Sequence, residues 1–151
     1  MLMRKRFFYG LLDALFEIGE KLLGIFPAQP RTKASIETFG LAAKVAASNI
    51  KLIEPLGYLN FMRLYSSGRF VLTDSSSLQE ETTALSVSCL TLRENTKRPI
   101  TISHGTNILV GTNPEKIKRA VFEILSTKNS SADKKFCRCG TDARRNEFAM
   151  F

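Results

Sequence analysis

The stretch Thr73–Thr82, T-D-S-S-S-L-Q-E-E-T, contains residue types suited to binding a phosphorylated ligand. It follows an apolar segment and precedes a helical pattern, which places it at the carboxyl end of a strand and at the start of a helix. Successive small residues there can present backbone N–H groups and hydroxyls to an anion, assisted by the helix dipole. Glu81, about one and a half turns into the helix, can accept hydrogen bonds from a ribose diol.

A basic residue follows the next predicted strand. Arg98, in R-E-N-T-K-R-P, can reach the same edge and pair with a phosphate. A plainer interpretation also exists, in which Asp74 or a serine only caps the helix while Glu81 and Arg98 are solvated. Because capping sequences are common, spacing alone favours this plainer interpretation.

Short apolar segments that alternate with helical patterns would position these residues. The predicted strands are Gly24–Phe26, Ile50–Ile53, Arg69–Thr73, Val87–Leu92 and Asn107–Val110. The predicted helices are Leu11–Leu23, Thr32–Val45, Tyr58–Ser66, Ser76–Leu85 and Pro114–Leu125, the last capped by Asn113. Strands that are apolar on both faces and alternate with helices indicate a parallel α/β sheet, whose ligands bind at the carboxyl ends of the strands.

The excess positive charge lies mostly at the two ends of the chain. The 151 residues include 22 basic and 14 acidic side chains, a formal charge of +8. Residues 1–8 and residues 126–151 each contribute +3, so the body between them is nearly neutral. A nucleic-acid surface, which needs a basic face with interleaved aromatic residues, is therefore not predicted. No apolar run approaches the ~20 residues that span a bilayer, so no membrane partner is predicted either.

The cysteines and the amino-terminal segment indicate a cytoplasmic protein. Cys89, Cys137 and Cys139 cannot form a paired disulfide framework, so reduced thiols are expected. A secretory signal is not predicted, because Asp13 and Glu17 interrupt the first apolar run. Cys137 and Cys139 lack a second ligand pair and a nearby histidine, so no metal site is predicted.

Five motifs occur together in one order, which makes the combination more specific than any single motif. They are F-P-A-Q-P-R-T (26–32), P-L-G-Y-L-N-F (55–61), T-D-S-S-S-L-Q-E-E (73–81), L-R-E-N-T-K-R-P (92–99) and G-T-N-I-L-V-G-T (105–112). Over roughly residues 9–125 the chain resembles the carboxyl-terminal half of the non-hydrolysing UDP-N-acetylglucosamine 2-epimerases. The resemblance implies a Rossmann-like parallel sheet with flanking helices, one domain of the two-domain GT-B fold, with a UDP-sugar between the domains.

The resemblance also implies a reaction and a set of binding residues. The family interconverts UDP-N-acetylglucosamine and UDP-N-acetylmannosamine by removing the C2 proton, eliminating UDP and adding it back. The residues that the resemblance assigns to UDP are Phe61 (uracil), Ser75, Ser76 and Ser77 (diphosphate), Glu81 (ribose hydroxyls) and Arg98 (phosphate). The family's catalytic carboxylates, in its amino-terminal domain, and its histidine, in an H-R-x-E-N segment, both precede the part that this sequence resembles. No catalytic residue is therefore assigned to this sequence, and no cofactor is implied.

Several positions depart from the family's pattern. Ser76 and Ser77 replace two glycines, which allow positive φ or close backbone approach to phosphate, and a Cβ opposes both. The expected cost is about 1–3 kcal/mol, which weakens nucleotide binding roughly five- to a hundredfold. Gln29 replaces a histidine and Lys97 a glutamate. His104, the only histidine, is interpreted as a loop residue and not as a base.

These observations leave two classes of function open. The chain is the UDP-holding half of an epimerase, inactive by itself and completed by a separate amino-terminal half or a homo-oligomer. Alternatively, it is a non-catalytic remnant or interaction module with weak or no UDP binding. A UDP-dependent glycosyltransferase fits less well, because motifs 92–99 and 105–112 favour the epimerases. The expected organisation is a basic leader (1–8), a UDP-binding domain (9–125) and a polar, poorly ordered tail (126–151).

Overall fold

The computed structural model describes residues 2–126 and 148–150, which form one parallel α/β sheet with flanking helices. The strands are β1 Leu23–Pro27, β2 Ile50–Ile53, β3 Phe70–Thr73, β4 Ser88–Thr91, β5 Asn107–Leu109 and β6 Phe148–Met150. The helices are α1 Leu2–Gly19, α2 Pro30–Thr38, α3 Ala42–Ala47, α4 Tyr58–Ser67, α5 Ser76–Ala84, α6 Ile100–Ser103 and α7 Pro114–Ser126. The strand order is β2-β1-β6-β3-β4-β5, and every pairing between these strands is parallel. The predicted fold class is therefore confirmed.

Alternating residues of β3 send their side chains to opposite faces of the sheet, as the two-residue period of a strand requires. Phe70 and Leu72 belong to the larger core cluster, which also contains Ile18 of α1 and Ile117 of α7. Val71 belongs to a second cluster, formed with residues of α4 and α5. Both faces of this strand are therefore covered by helices, which explains why its sequence is apolar without alternation.

The predicted helix Thr32–Val45 is wrong in its continuity, because the chain forms α2 and α3 with a break between them. Gly40 has a φ of +67°, the left-handed conformation that ends many helices. The N–H of Leu41 donates to the Ile36 carbonyl at 3.0 Å, and the N–H of Gly40 donates to the Glu37 carbonyl at 2.9 Å. These bonds form a Schellman-type end, so the glycine stops the helix and does not merely weaken it.

The structure describes parts of both ends of the chain. Residues 2–8, predicted as a basic leader, form the first part of α1. Ser126 belongs to α7 and Phe148–Met150 form β6, while the predicted division into leader, UDP-binding domain and tail stays a prediction. Cys137 and Cys139 lie outside the described residues. None of the described helices combines the length and apolar character needed to cross a membrane.

Candidate functional site

The start of α5 lies directly beyond the carboxyl end of β3, where the sequence predicts an anion site. Ser75 is the N-cap residue, and its side chain makes no capping hydrogen bond. Instead its backbone N–H donates to Thr73 Oγ1 at 3.0 Å. Ser75 and Ser77 are exposed and Ser76 is partly exposed. A helix N-terminus with three adjacent serines, each at least partly exposed, therefore lies at this edge of the sheet, and the Ser75 hydroxyl is not used for capping.

The backbone of Ser76 and Ser77 is helical. Among the described non-glycine residues, positive φ occurs at Ser86 and not at these two positions. The expected strain from positive φ at the two serines is therefore wrong for this backbone. The second half of that expectation, that their Cβ atoms hinder the approach of a phosphate, stays a prediction.

The carboxylate of Glu81 is held in place by a tyrosine from the neighbouring helix. Tyr65 of α4 is completely buried, and its hydroxyl donates to Glu81 Oε2 at 2.6 Å. Burial, followed by the bond and charge of Glu81, raises the pKa of Tyr65 well above its usual value, so this hydroxyl remains a donor at neutral pH. Because folding raises the pKa of Tyr65, its protonated hydroxyl stabilises the folded state. This stabilisation is complete below about pH 10 and is lost as the pH rises further. The bond holds Oε2 in place, while within the part of the chain that the structure describes no hydrogen-bond donor pairs with Oε1.

Phe61, the predicted uracil residue, lies one helical turn before Tyr65 on α4. Its ring packs edge-on against the Tyr65 ring, with 5.4 Å between the centroids. The side chain is partly buried against the second core cluster, so one part remains accessible. The structure therefore brings Phe61 and Glu81 together through a shared neighbour.

Arg98 is fixed through its backbone and paired through its side chain. Its N–H donates to Thr96 Oγ1 at 3.0 Å, and its carbonyl accepts from Thr101 Oγ1 at 2.7 Å. Its guanidinium Nε lies 3.4 Å from Glu80 Oε1, and both side chains are about half exposed. Arg98 therefore lies beside α5, as predicted, but a carboxylate competes there for its charge.

A buried polar network supports the loop that carries Arg98. Gln79 Oε1 accepts from Thr96 Oγ1 at 2.7 Å and from Asn107 Nδ2 at 3.1 Å. Asn107 Nδ2 also donates to Thr101 Oγ1 at 3.1 Å, while Asn107 Oδ1 accepts from Thr91. The two threonines that hold the Arg98 backbone are thus tied to α5 and β5. Because these side chains are buried or partly buried, each lost partner would leave a desolvated polar atom.

Sequence reasoning missed the residues that support the site. Helical spacing places Tyr65 on the apolar face of α4 and does not name a partner for its hydroxyl, although a buried tyrosine hydroxyl usually has one. Asn107 in β5 and Gln79 in α5 are polar residues within elements that pack against the core. That position is only a weak indication of a buried network. His104 is exposed at the end of α6, where its Nδ1 lies 2.9 Å from Ser103 Oγ.

Gly105 is required by close packing behind this network. A Cβ at this position would overlap the Thr101 carbonyl oxygen and lie 2.6 Å from Thr83 Oγ1. We expect Gly105→Ala to lower the free energy of unfolding by about 1–3 kcal/mol, the usual cost of overpacking. Gly57→Ala is the matched control, since nothing lies within 4 Å of its Cβ. Urea titrations of both variants measure the difference, and equal stabilities would contradict the packing argument.

The strand order places the site at a topological switch point of a doubly wound parallel sheet, the arrangement of Rossmann-type nucleotide-binding domains. The family model described as UDP-N-acetylglucosamine 2-epimerase matches residues 3–144 of this chain. The chain belongs to that family.

Individual relatives agree with this assignment. The UDP-N-acetylglucosamine 2-epimerase of Methanocaldococcus jannaschii is 45% identical over 125 residues, which are 80% of this chain and 34% of the relative. The Escherichia coli enzyme of the same name is 38% identical over 81 residues, 54% of this chain and 22% of the relative.

Solved structures give the same result. The M. jannaschii enzyme in complex with UDP-GlcNAc and UDP matches with a TM-score of 0.75 and 43% identity, covering 82% of this chain and 35% of that one. The Neisseria meningitidis enzyme bound to UDP-GlcNAc matches with a TM-score of 0.67 and 28% identity. The match covers 79% of this chain and 33% of that one. The chain therefore spans about a third of the length of these relatives.

Proposed function

We propose that this chain is a UDP-holding module of a UDP-N-acetylglucosamine 2-epimerase. The observation that carries the proposal is the juxtaposition, on one helix, of an open N-terminus with three serines and a carboxylate oriented by Tyr65. Phosphate binds favourably at the first feature and ribose hydroxyls at the second. A related structure that contains UDP-GlcNAc and UDP supports the choice of nucleotide.

Each part of UDP has a proposed binding residue. Glu81 Oε1 accepts from the ribose hydroxyls, and the accessible part of the Phe61 ring lies beside uracil. Ser75, Ser76 and Ser77 meet the diphosphate at the start of α5, where Arg98 supplies positive charge. Because UDP is the leaving group in the family's reaction, fixed donors on its phosphates stabilise the charge that develops as the bond to the sugar breaks.

The groups that move the C2 proton are proposed to come from outside this sequence. The resemblance places the family's catalytic carboxylates in its amino-terminal domain and its histidine in an H-R-x-E-N segment that this sequence does not contain. His104 is exposed, without a carboxylate partner among the described residues. A separate amino-terminal half or a second copy would complete the site and exclude water from it. Cys89 is a buried free cysteine, and burial raises the pKa of its thiol, so the thiol stays protonated and unreactive.

The two serines at the start of α5 favour a second candidate, an inactive remnant that binds UDP weakly or not at all.

Replacing both Ser76 and Ser77 with glycine is expected to tighten UDP binding roughly five- to a hundredfold, because their Cβ atoms no longer oppose phosphate. Isothermal titration calorimetry measures the change. The control is the double variant Ser66→Gly and Ser67→Gly, which places two glycines at the carboxyl end of α4. Unchanged affinity in the double glycine variant would show that these side chains do not limit binding.

Glu80 is expected to weaken phosphate binding, because it pairs with Arg98 in the absence of ligand. Glu80→Gln should tighten UDP binding by about two- to fivefold, in line with the small worth of exposed ion pairs. The gain should shrink as salt is raised from 0.02 to about 0.5 M, since screening weakens the competition. Calorimetry at several salt concentrations measures it. Weaker binding in the variant would instead show that Glu80 positions Arg98 for the ligand.

A further inference from the structure

The first turn of α4 presents an aromatic side chain to solvent. Tyr58 is the first residue of the helix and is 61% exposed, whereas Tyr65, two turns later, is completely buried. Phe61 lies between them in the sequence and is partly buried. Because positions i, i+3 and i+7 share one face of a helix, these three side chains lie along one face of α4. We call them the aromatic row; its exposure increases from the core to the start of the helix.

The buried end of the aromatic row is joined to the proposed ribose-binding residue. Tyr65 donates to Glu81 Oε2 at 2.6 Å, and the Phe61 ring packs edge-on against the Tyr65 ring, with 5.4 Å between the centroids. Burial and the bond and charge of Glu81 raise the pKa of Tyr65, and the nearby phenol of Tyr58 adds to this effect. The aromatic row therefore extends from Glu81 to the exposed start of α4.

The exposed end of the row lies at the edge of the sheet that carries the candidate site. α4 follows β2 and α5 follows β3, so each helix begins beyond the carboxyl end of a strand. Since the strands of the sheet are parallel, both helix starts lie at the same edge. An aromatic ring in water at this edge offers a ligand a flat apolar surface with a hydroxyl at its rim.

The covalent structure of a nucleotide sets the direction in which its base extends. The base and the phosphate-bearing carbon leave the ribose ring from opposite ends, at C1′ and C4′, and the two hydroxyls lie between them on C2′ and C3′. With the hydroxyls at Glu81 and the diphosphate at the start of α5, the base extends away from that helix start and toward α4. Phe61 offers it only the accessible part of a partly buried ring. Tyr58, one turn nearer the start of α4, offers an exposed ring.

We propose that Tyr58 is a further base-contacting residue, which stacks on the pyrimidine ring of UDP and sets the preference of the site for a planar base. The inference rests on the proposed function, because Glu81 and the start of α5 fix the positions of the ribose and the diphosphate. Stacking between an aromatic side chain and a base strengthens binding by about fivefold or more. Tyr58 therefore adds affinity for the base without a specific hydrogen bond to it.

Titrations with UDP and with 5,6-dihydro-UDP, followed by nuclear magnetic resonance, test this proposal. Saturating the C5–C6 bond keeps the polar groups of uracil but makes its ring puckered and non-aromatic, so it stacks poorly. The unaltered chain should bind UDP about fivefold more tightly than the dihydro nucleotide. Tyr58→Ala should weaken UDP binding by about fivefold and the binding of dihydro-UDP by less than about twofold, so most of the preference is lost.

Two variants serve as controls, and circular dichroism checks that all three fold. Tyr58→Phe keeps the ring and should retain the preference for UDP. Leu59→Ala changes a side chain that is 67% exposed but lies roughly 100° around the helix from Tyr58, so it should bind both nucleotides like the unaltered chain.

The outcomes separate this inference from the proposed function. If the unaltered chain binds UDP and Tyr58→Ala binds it equally well, or if Tyr58→Ala weakens both nucleotides by the same factor, the stacking role of Tyr58 is overturned and the proposed function stands. If the unaltered chain binds neither nucleotide, the proposed function is overturned and this inference with it.

Discussion

Replacing Glu81 with glutamine is expected to weaken UDP binding by about tenfold or more. The proposed bonds from the ribose hydroxyls to Oε1 are charge-assisted, and such bonds are worth about 1.5–3 kcal/mol each when desolvated. The glutamine side chain is of the same size and still accepts from Tyr65, so the packing of α4 on α5 should persist. Calorimetry with UDP and with 2′-deoxy-UDP measures the effect. The unaltered chain should prefer UDP, and the variant should lose most of that preference.

Two further variants control this prediction. Glu37→Gln, at an exposed position of α2 away from the site, should bind both nucleotides like the unaltered chain. Tyr65→Phe should have an intermediate effect, because it keeps the charge of Glu81 but removes the bond that orients it. If Glu81→Gln retains the full preference for UDP over 2′-deoxy-UDP, then Glu81 does not contact the ribose.

Asn107→Leu is expected to cause the largest loss of stability, about 3 kcal/mol or more. The asparagine side chain is buried and bonds to Gln79, Thr101 and Thr91. Leucine has a similar volume but leaves the buried Thr91 hydroxyl without its acceptor, at about 1–3 kcal/mol, and removes one bond each from Gln79 and Thr101, at about 1 kcal/mol per bond. Gln79 keeps its bond from Thr96, and Thr101 keeps its bond to the Arg98 carbonyl. Urea denaturation monitored by circular dichroism measures the difference in the free energy of unfolding.

The adjacent residue of β5 provides the matched control for this stability prediction. Ile108 is 43% exposed, so Ile108→Ala should cost less than about 1 kcal/mol. The same network positions the Arg98 backbone, so Asn107→Leu should also weaken UDP binding of the folded protein. A loss of stability near that of the Ile108 variant would mean that the network contributes little to the fold.

Much of the sheet could be predicted from local patterns. The five predicted strands appear with no bound shifted by more than one residue, because their apolar runs end at proline, glycine or polar residues. Asn113 accepts from the Glu115 N–H at 2.9 Å, as its position before Pro114 predicts. Such signals depend on neighbouring residues only, which is why the sequence is sufficient for them.

The rest depends on contacts between distant parts of the chain. The Tyr65–Glu81 bond joins residues 16 positions apart, and the bond from Asn107 to Gln79 joins residues 28 apart. No periodic pattern encodes such a partner. The strand Phe148–Met150 follows a polar segment without a sustained period, so no local pattern predicts that it pairs between β1 and β3. Glu80 was missed because an exposed glutamate on a helix carries no distinguishing signal.

Calorimetric titration of UDP into the purified chain tests the central claim most directly. The account predicts measurable binding with a Kd below about 1 mM, equivalent to roughly 4 kcal/mol of binding free energy, and weaker binding of 2′-deoxy-UDP. Absence of binding at millimolar UDP, both in the unaltered chain and in the variant with glycine at Ser76 and Ser77, would contradict it and leave the remnant as the better description.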